Sequence, residues 1–566
     1  MLPAILSDEK IMELRTHPYY REMYKDVKQY ADEVCGTVPH VLPYSKFKLY
    51  DESGSRWTYE EAYYEHRKRL NALTLCYLIF EEEKYRTALE DVIWAICDEF
   101  TWVLPAHMWG LSSVEKKAVH LDLFACETGM ALAEILSMTA SSLDALVVER
   151  AGKEIRRRII EPYFADTFWW ETERSNWAAV CAGCVGMTFF YEAKAEEVDA
   201  ILPRILDTMD CFLESYPEDG CCLEGLDYWD YGFGFYVYFA ERLEKYSGGK
   251  YQLLKTEKAE KIAHYLQNIR LGSRYAAAFS DSENHICAFP GLVHFLHQTY
   301  ENIDVFPDEV LTKYGDDQTQ RWAAFIRNYA WTSPYNKVSM RNGATYYESA
   351  EWFIYNGAHY SFAAKAGDNN VPHNHNDVGS FLYCAGDNII LTDPGKGEYT
   401  EQYFSAKRYD FFATSSRGHS VPIINGMYQK QGSEFKGEVL FHDEKHFCLE
   451  MAGAYGINGL SSLKRSFGLE EDGIFIEDEF FFSEEAGEII ERFILLEEPV
   501  IKEDYIQIGS QKMTGEFDKY NISVKKEDYH GSLGKLKSVY VLDFALRSKE
   551  KHVKCIFRIG GENKGR

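Results

Sequence analysis

Residues 466–476 read Ser466-Phe467-Gly468-Leu469-Glu470-Glu471-Asp472-Gly473-Ile474-Phe475-Ile476. Two short apolar runs flank an acidic tetrapeptide that ends in Asp-Gly, a pair that accepts the positive backbone dihedrals of a tight hairpin. The same grammar extends to both sides. Upstream lie Phe353 to Tyr355, Tyr360 to Ala363, Phe381 to Tyr383 and Asn388 to Thr392. Downstream lie Phe480 to Phe482, Glu491 to Leu495, Ser538 to Leu542 and Val553 to Arg558. Short β-rich runs in close succession predict antiparallel sheets. They argue against a doubly wound parallel sheet, in which helices alternate with strands.

Before about residue 335 the period changes. Leu143, Leu146, Val147, Ile155, Ile159 and Ile160 recur near helical spacing. Similar stretches cover 58–82, 84–99, 117–141, 176–192, 194–214, 228–246 and 256–269, joined by short connectors carrying Pro, Gly, Asp or Ser. Many helices with short links predict antiparallel helical hairpins stacked side by side. The expected class is multidomain α+β, with helical hairpins over 1–334 followed by an antiparallel β domain over 335–566.

Composition narrows the function. Of 566 residues, 46% are hydrophobic and 27% charged, which excludes a largely disordered chain. No run approaches the ~20 apolar residues that span a bilayer. The 61 basic residues against 89 acidic ones leave a net charge of −28. A nucleic-acid or anionic-membrane binder would carry a basic footprint instead, so an anionic ligand needs a locally basic cleft. The 13 Cys are scattered, with one CxxC at Cys181–Cys184, which fits neither a disulfide framework nor a zinc ribbon. Met1 to Asp8 lacks a basic stretch ahead of an apolar one, so a cytoplasmic location is expected. Aromatic residues reach 15%. That fits large aromatic cores, and it also fits flat rings stacking on the apolar face of a pyranose.

The densest candidate for chemistry is Pro372-His373-Asn374-His375-Asn376-Asp377-Val378-Gly379-Ser380-Phe381. The run Asn388 to Thr392 leads into Asp393-Pro394-Gly395-Lys396-Gly397-Glu398-Tyr399, and Ser415-Ser416-Arg417-Gly418-His419-Ser420 precedes another strand-like run. His375, Asp393 and His419 are therefore expected on adjacent strands. Two imidazoles and a carboxylate with an open fourth position suit Zn²⁺, and three separate hydrogen-bonding residues are the alternative. Residues two apart on a strand face the same way, so His373 and His375 are expected to share a cleft, one ligating and one moving protons.

In the helical region, Ser175-Asn176-Trp177 opens a helix after Phe168-Trp169-Trp170, and on local evidence Asn176 reads first as its N-cap. Asp219-Gly220 leads to Glu224-Gly225-Leu226-Asp227-Tyr228-Trp229-Asp230-Tyr231-Gly232, either a lined cleft at a helix end or a packed aromatic turn. Trp102, Pro105, His107 and Trp109 form a third such turn.

Taken together, these residues resemble the heparinase II/III-like polysaccharide lyases. The carriers are His373-x-His375-x-Asp377-x-Gly379-Ser380-Phe381, Asp393-x-Gly395-x-x-x-Tyr399 and His419, joined by Asn176 and Glu224-Gly225-x-x-Tyr228-Trp229. The resemblance implies an incomplete α/α toroid followed by an antiparallel β-sandwich. It implies β-elimination on uronic-acid-containing polysaccharides, an anionic polysaccharide or oligosaccharide being the partner. It makes Tyr228 the proton-transferring tyrosine, His373 its partner and Asn176 the neutraliser of the substrate carboxylate. It makes His375, Asp393 and His419 the ligands of one structural zinc per chain. Glu224, Trp229 and Tyr399 fall within its motifs as expected substrate contacts.

The chain departs from the family pattern where Trp177, not His, follows Asn176. His107 is a candidate substitute, and Tyr231 competes with Tyr228, because positions i and i+3 share a helical face. Among nearby cations, Arg408 and Arg417 are the preferred candidates for sulfate or carboxylate contacts. A helical-toroid glycoside hydrolase, using two of Glu224, Asp227 and Asp230, and a non-catalytic sugar-binding protein are the rival readings.

Overall fold

The computed structural model describes residues 2–286, 288–531 and 534–561. The chain forms two compact units. One comprises Met1–Tyr216, Tyr228–Glu260 and Ala288–Lys337; the other comprises Pro217–Asp227, Lys261–Cys287 and Val338–Arg566. This differs from a single division at 334/335, because two segments of the helix-rich stretch belong with the β-rich unit. Specific polar contacts hold them there. Asn356 Nδ2 donates to the Arg270 carbonyl at 2.9 Å while the Arg270 guanidinium donates to Asn356 Oδ1 at 3.0 Å. The Ser349 amide donates to Asp219 Oδ2 at 3.0 Å.

The helical unit is built from hairpins. Trp57–Phe80 turns back into Glu83–Asp98 through Glu81, a left-handed C-cap at φ 55°. Leu123–Thr139 packs on Asn176–Glu192, which also contacts Ala195–Leu213 and Gly234–Tyr246. Asn176–Glu192 is buried continuously from Ala178 to Phe190, as expected of a helix that is apolar on every face. Gly186 permits the close approach: a Cβ there would lie 2.5 Å from Phe239 Cε2.

The β-rich unit holds two large antiparallel sheets. One runs in the order Asn521–His530, Leu536–Ser548, Gly487–Leu495, Asn388–Leu391, Phe381–Ala385, Tyr360–Lys365, Trp352–Asn356, Gly343–Tyr347, with Ile423–Ile424 also paired to Gly487–Leu495. The other is centred on Leu460–Leu469, Gly473–Phe482 and His552–Gly560. The expected hairpin is present, with Leu469 paired to Ile474. The sheets share one core, in which Phe381 of the first meets Phe467 of the second at 5.0 Å and Phe493 meets Phe557 at 5.0 Å. The architecture is a helical-hairpin unit of the α/α toroid type with an antiparallel β-sandwich.

Candidate active site

His373 and His375 lie in a loop between Asp368–Asn369 and Phe381–Ala385, not in a strand. His373 adopts φ 56°, left-handed backbone in which two-residue alternation does not hold. The expectation that both rings face one cleft by strand geometry is therefore corrected. They converge by another route, on a carboxylate that the sequence reading missed. Asp281 Oδ2 lies 2.8 Å from His373 Nδ1, and Asp281 Oδ1 lies 3.0 Å from His375 Nε2. The Tyr403 hydroxyl donates to Asp281 Oδ1 at 2.5 Å, Arg408 donates to it at 2.9 Å, and the Tyr399 hydroxyl reaches Oδ2 at 3.4 Å. Asp281 is fully buried. Burial alone would raise its pKa, but the hydrogen bonds from His373 and His375 and the charges of His375 and Arg408 outweigh it and hold the carboxyl well below the usual range.

The loop carrying Asp281 also grips the segment of Glu224. Ser280, at φ 63°, donates through its hydroxyl to the Leu223 carbonyl at 3.0 Å, and the Leu226 amide donates to Ser282 Oγ at 3.2 Å. Gly225, at φ 96°, lets the strands of chain approach, since a Cβ there would sit 2.7 Å from Ser282 Cβ. Glu224 Oε2 is thereby placed 3.9 Å from His373 Nε2. Burial pushes the Glu224 carboxyl up, with His373 acting in the opposite sense.

His375, Asp393 and His419 form a buried group that can hold a metal ion, each offering one ligand atom within 4.8 Å of the others. Asp393 follows the strand Asn388–Leu391 and His419 caps a short helix ahead of Ile423–Ile424, so both sit in loops next to strands, not on them. The donor set fits an ion. His375 Nδ1 and His419 Nε2 are buried and lack a hydrogen-bond partner, the state of imidazole nitrogens kept for ligation. Asp393 Oδ1 accepts from the Gly395 amide at 2.9 Å and Oδ2 lies 2.8 Å from His419 Nδ1. A buried ion pair, Lys365 Nζ to Asp377 Oδ1 at 2.7 Å, anchors the same loop.

The cations singled out in this unit are engaged within it. Arg408 is held by Asp281 and by the Asn374 carbonyl at 3.0 Å, and it lies 4.5 Å over the Tyr403 ring. Arg417 donates to Ser415 Oγ at 3.1 Å and to the Asp410 carbonyl, which binds it to its own loop. Lys396 pairs with Asp227. Tyr399 stacks near-parallel to His373, their ring centres 6.5 Å apart.

In the helical unit, Ser175 is the N-cap and Asn176 the first helical residue, so the capping reading of Asn176 does not hold. Extended backbone at Ser175 starts the helix one residue earlier than that reading requires. Asn176 abuts Gly232, where a Cβ would lie 3.2 Å from Asn176 Cβ. Trp229–Phe233 is a π-helical turn following Leu226–Tyr228. Tyr228 ends the short helix and Tyr231 lies inside the π-helical turn, and such turns often occur at functional sites. Trp229, expected to meet substrate, is only 1% exposed and packs on Phe233 at 5.9 Å.

Tyr231 donates to Glu127 Oε1 at 2.7 Å beneath Arg321, which lies 4.0 Å over the ring. Burial, then the charge of Glu127, holds the Tyr231 phenol well above its usual value. His107 is oriented by Asp122: Nδ1 lies 2.7 Å from Oδ2, while Oδ1 caps the helix Leu123–Thr139 through the Ala125 amide at 2.8 Å. The His107 ring meets Trp177, the residue after Asn176, at 5.0 Å. Trp177 continues to Trp169 at 4.9 Å and Trp169 to Trp109 at 5.5 Å.

No family model and no curated protein sequence matches the chain. Solved structures match it by fold. Heparinase III superposes with a TM-score of 0.61 at 14% identity, covering 99% of this chain and 92% of that one. The heparan sulfate lyase of Pedobacter heparinus gives 0.55 at 14% identity, covering 98% and 91%. The Streptomyces coelicolor A3 chondroitin AC lyase in complex with chondroitin sulphate gives 0.59 at 10% identity, covering 98% and 82%. At these identities the likeness is one of fold, and it extends over nearly the whole chain.

Proposed function

We propose that the protein is a polysaccharide lyase that cleaves uronic-acid-containing glycosaminoglycans, or their oligosaccharides, by β-elimination. The observation that carries the reading is His373, with Nδ1 held 2.8 Å from a buried carboxylate and Nε2 directed towards Glu224. A ring fixed in this way is suited to proton transfer. The shared fold with structures named as heparan and chondroitin lyases supports the substrate class.

The C5 proton of a uronate lies α to a carboxylate and is weakly acidic. In this reading the Asn176 amide hydrogen-bonds that carboxylate and stabilises the enolate-like charge that develops when the proton leaves. Tyr228 and His373 divide the two proton transfers, one from C5 and one to the departing C4 oxygen. His107, fixed by Asp122 beside Trp177, takes the place of the histidine that relatives carry after Asn176. His375, Asp393 and His419 would hold one structural zinc, which would brace the loop carrying His373. Heparan, chondroitin, hyaluronan and alginate all present the required C5 proton.

A glycoside hydrolase needs two carboxylates facing across the bond. Asp227 is paired with Lys396 and Asp230 accepts from the Phe289 amide at 3.2 Å, so the rival reading has less support. The test is a panel of uronate polymers followed by ultraviolet absorbance of the conjugated product. At least one polymer is expected to yield it. Reducing ends without absorbance would indicate a hydrolase, and binding without either would indicate a lectin-like protein.

A further inference from the structure

We propose that Asp281 is a positioning residue shared by the metal centre and His373, one carboxylate setting the ring orientation and tautomer of both His373 and His375. The part concerning His373 turnover rests on the lyase reading; the part concerning the metal does not.

An ionised carboxylate only accepts hydrogen bonds, so each imidazole must present an N–H to it. Asp281 Oδ1 meets His375 at Nε2, and Oδ2 meets His373 at Nδ1. In their neutral forms the two rings are thus set in opposite tautomers. His375 keeps its lone pair on Nδ1, the buried nitrogen that lacks a hydrogen-bond partner, in the group with Asp393 and His419. His373 presents its other ring nitrogen, Nε2, 3.9 Å from Glu224 Oε2.

A carboxylate behind a metal-ligating histidine is a common outer-shell arrangement, and its loss typically weakens metal binding 10–100-fold. Here the same carboxylate also holds a second histidine, so the two geometries are not independent. Asp281 cannot turn to serve one ring alone, because Tyr403 at 2.5 Å and Arg408 at 2.9 Å fix Oδ1. His373 sits at φ 56°, a backbone state that persists in a non-glycine residue only where surrounding contacts over-determine it. The bond to Asp281 is one such contact.

The experiment uses full-length Asp281→Asn, whose amide keeps the shape but offers a single acceptor atom. Zinc affinity, read by chelator competition, should fall about 10–100-fold. At saturating zinc, kcat should fall with KM changed much less. The double variant Asp281→Asn with His373→Ala should be no slower than His373→Ala alone, because both remove one unit. Unchanged zinc affinity, or rate losses that multiply, would overturn the proposal. If Asp281→Asn does not fold, nitrogen-15 histidine spectra of the zinc-loaded wild type decide it. Protonated Nδ1 at His373 and protonated Nε2 at His375 are expected, and the reverse tautomer at either ring overturns it. Zinc affinity and tautomers are read without substrate, so failure of the lyase reading is distinguishable from failure of this one.

Discussion

Tyr231 and Glu127 share a 2.7 Å hydrogen bond in the interior of the helical unit. Burial pushes the Glu127 carboxyl up to about 7, against the lowering effect of Arg321 and of that hydrogen bond. Its ordinary value lies near 4.3. Between those limits the folded protein keeps a proton that the unfolded chain has released. The stabilisation is complete at low pH and is lost as pH rises towards 7. The contribution is at most about 4 kcal/mol. Glu127→Gln should therefore lose less stability than wild type on going from pH 5 to 7.5, measured as urea midpoints. Parallel losses in both proteins would contradict the assignment.

Removing only a hydroxyl separates the two tyrosines. Tyr228→Phe should lower turnover by ~10²–10⁴, the usual loss for an acid–base group, with folding intact. Tyr231→Phe should instead act on stability, by about 1–3 kcal/mol, because it leaves buried Glu127 without its donor. Thermal melts and kcat on both variants check this. If turnover falls only in Tyr231→Phe, the base lies three residues further along.

His419→Ala removes one of the three grouped ligands. Elemental analysis should find about one zinc in wild type and much less in the variant, with a lower melting temperature, since bound metal stabilises the folded state by mass action. A wild type that is metal-free, stable and active would refute the zinc assignment.

Gly225→Ala tests how the Glu224 segment is held. The new methyl would meet Ser282 at a position with φ 96°. Stability should fall by at least about 1 kcal/mol. Turnover should fall with it, because Ser282 adjoins Asp281. Normal kcat in a folded Gly225→Ala protein would separate Glu224 from the chemistry.

Much of the fold was legible because its signals are local. Asp472-Gly473 between apolar runs is enough to read the hairpin that pairs Leu469 with Ile474. His375, Asp393 and His419 are grouped by their flanking strand-like runs and by the resemblance, although Asp393 and His419 lie in loops beside the strands. Asp281 precedes His373 by 92 residues and lies in no periodic stretch, so nothing short of the folded chain reveals its partners. Trp229 and Arg408 show the converse limit. Aromatic and cationic character suggests ligand contact, whereas Trp229 is 1% exposed and Arg408 is held by Asp281.

The two excursions of helix-rich chain into the β-rich unit set an order of events during synthesis. Arg408 follows Asp281 by 127 residues, and Lys537 follows its partner Glu283 by 254. At ~5–20 residues per second, Asp281 is synthesised roughly 6–25 s before its guanidinium partner. For that interval the segment that will anchor both histidines has no sandwich to join. A nascent chain stalled before residue 338 should therefore leave 261–287 open to protease, although the helices on either side of it have already been made.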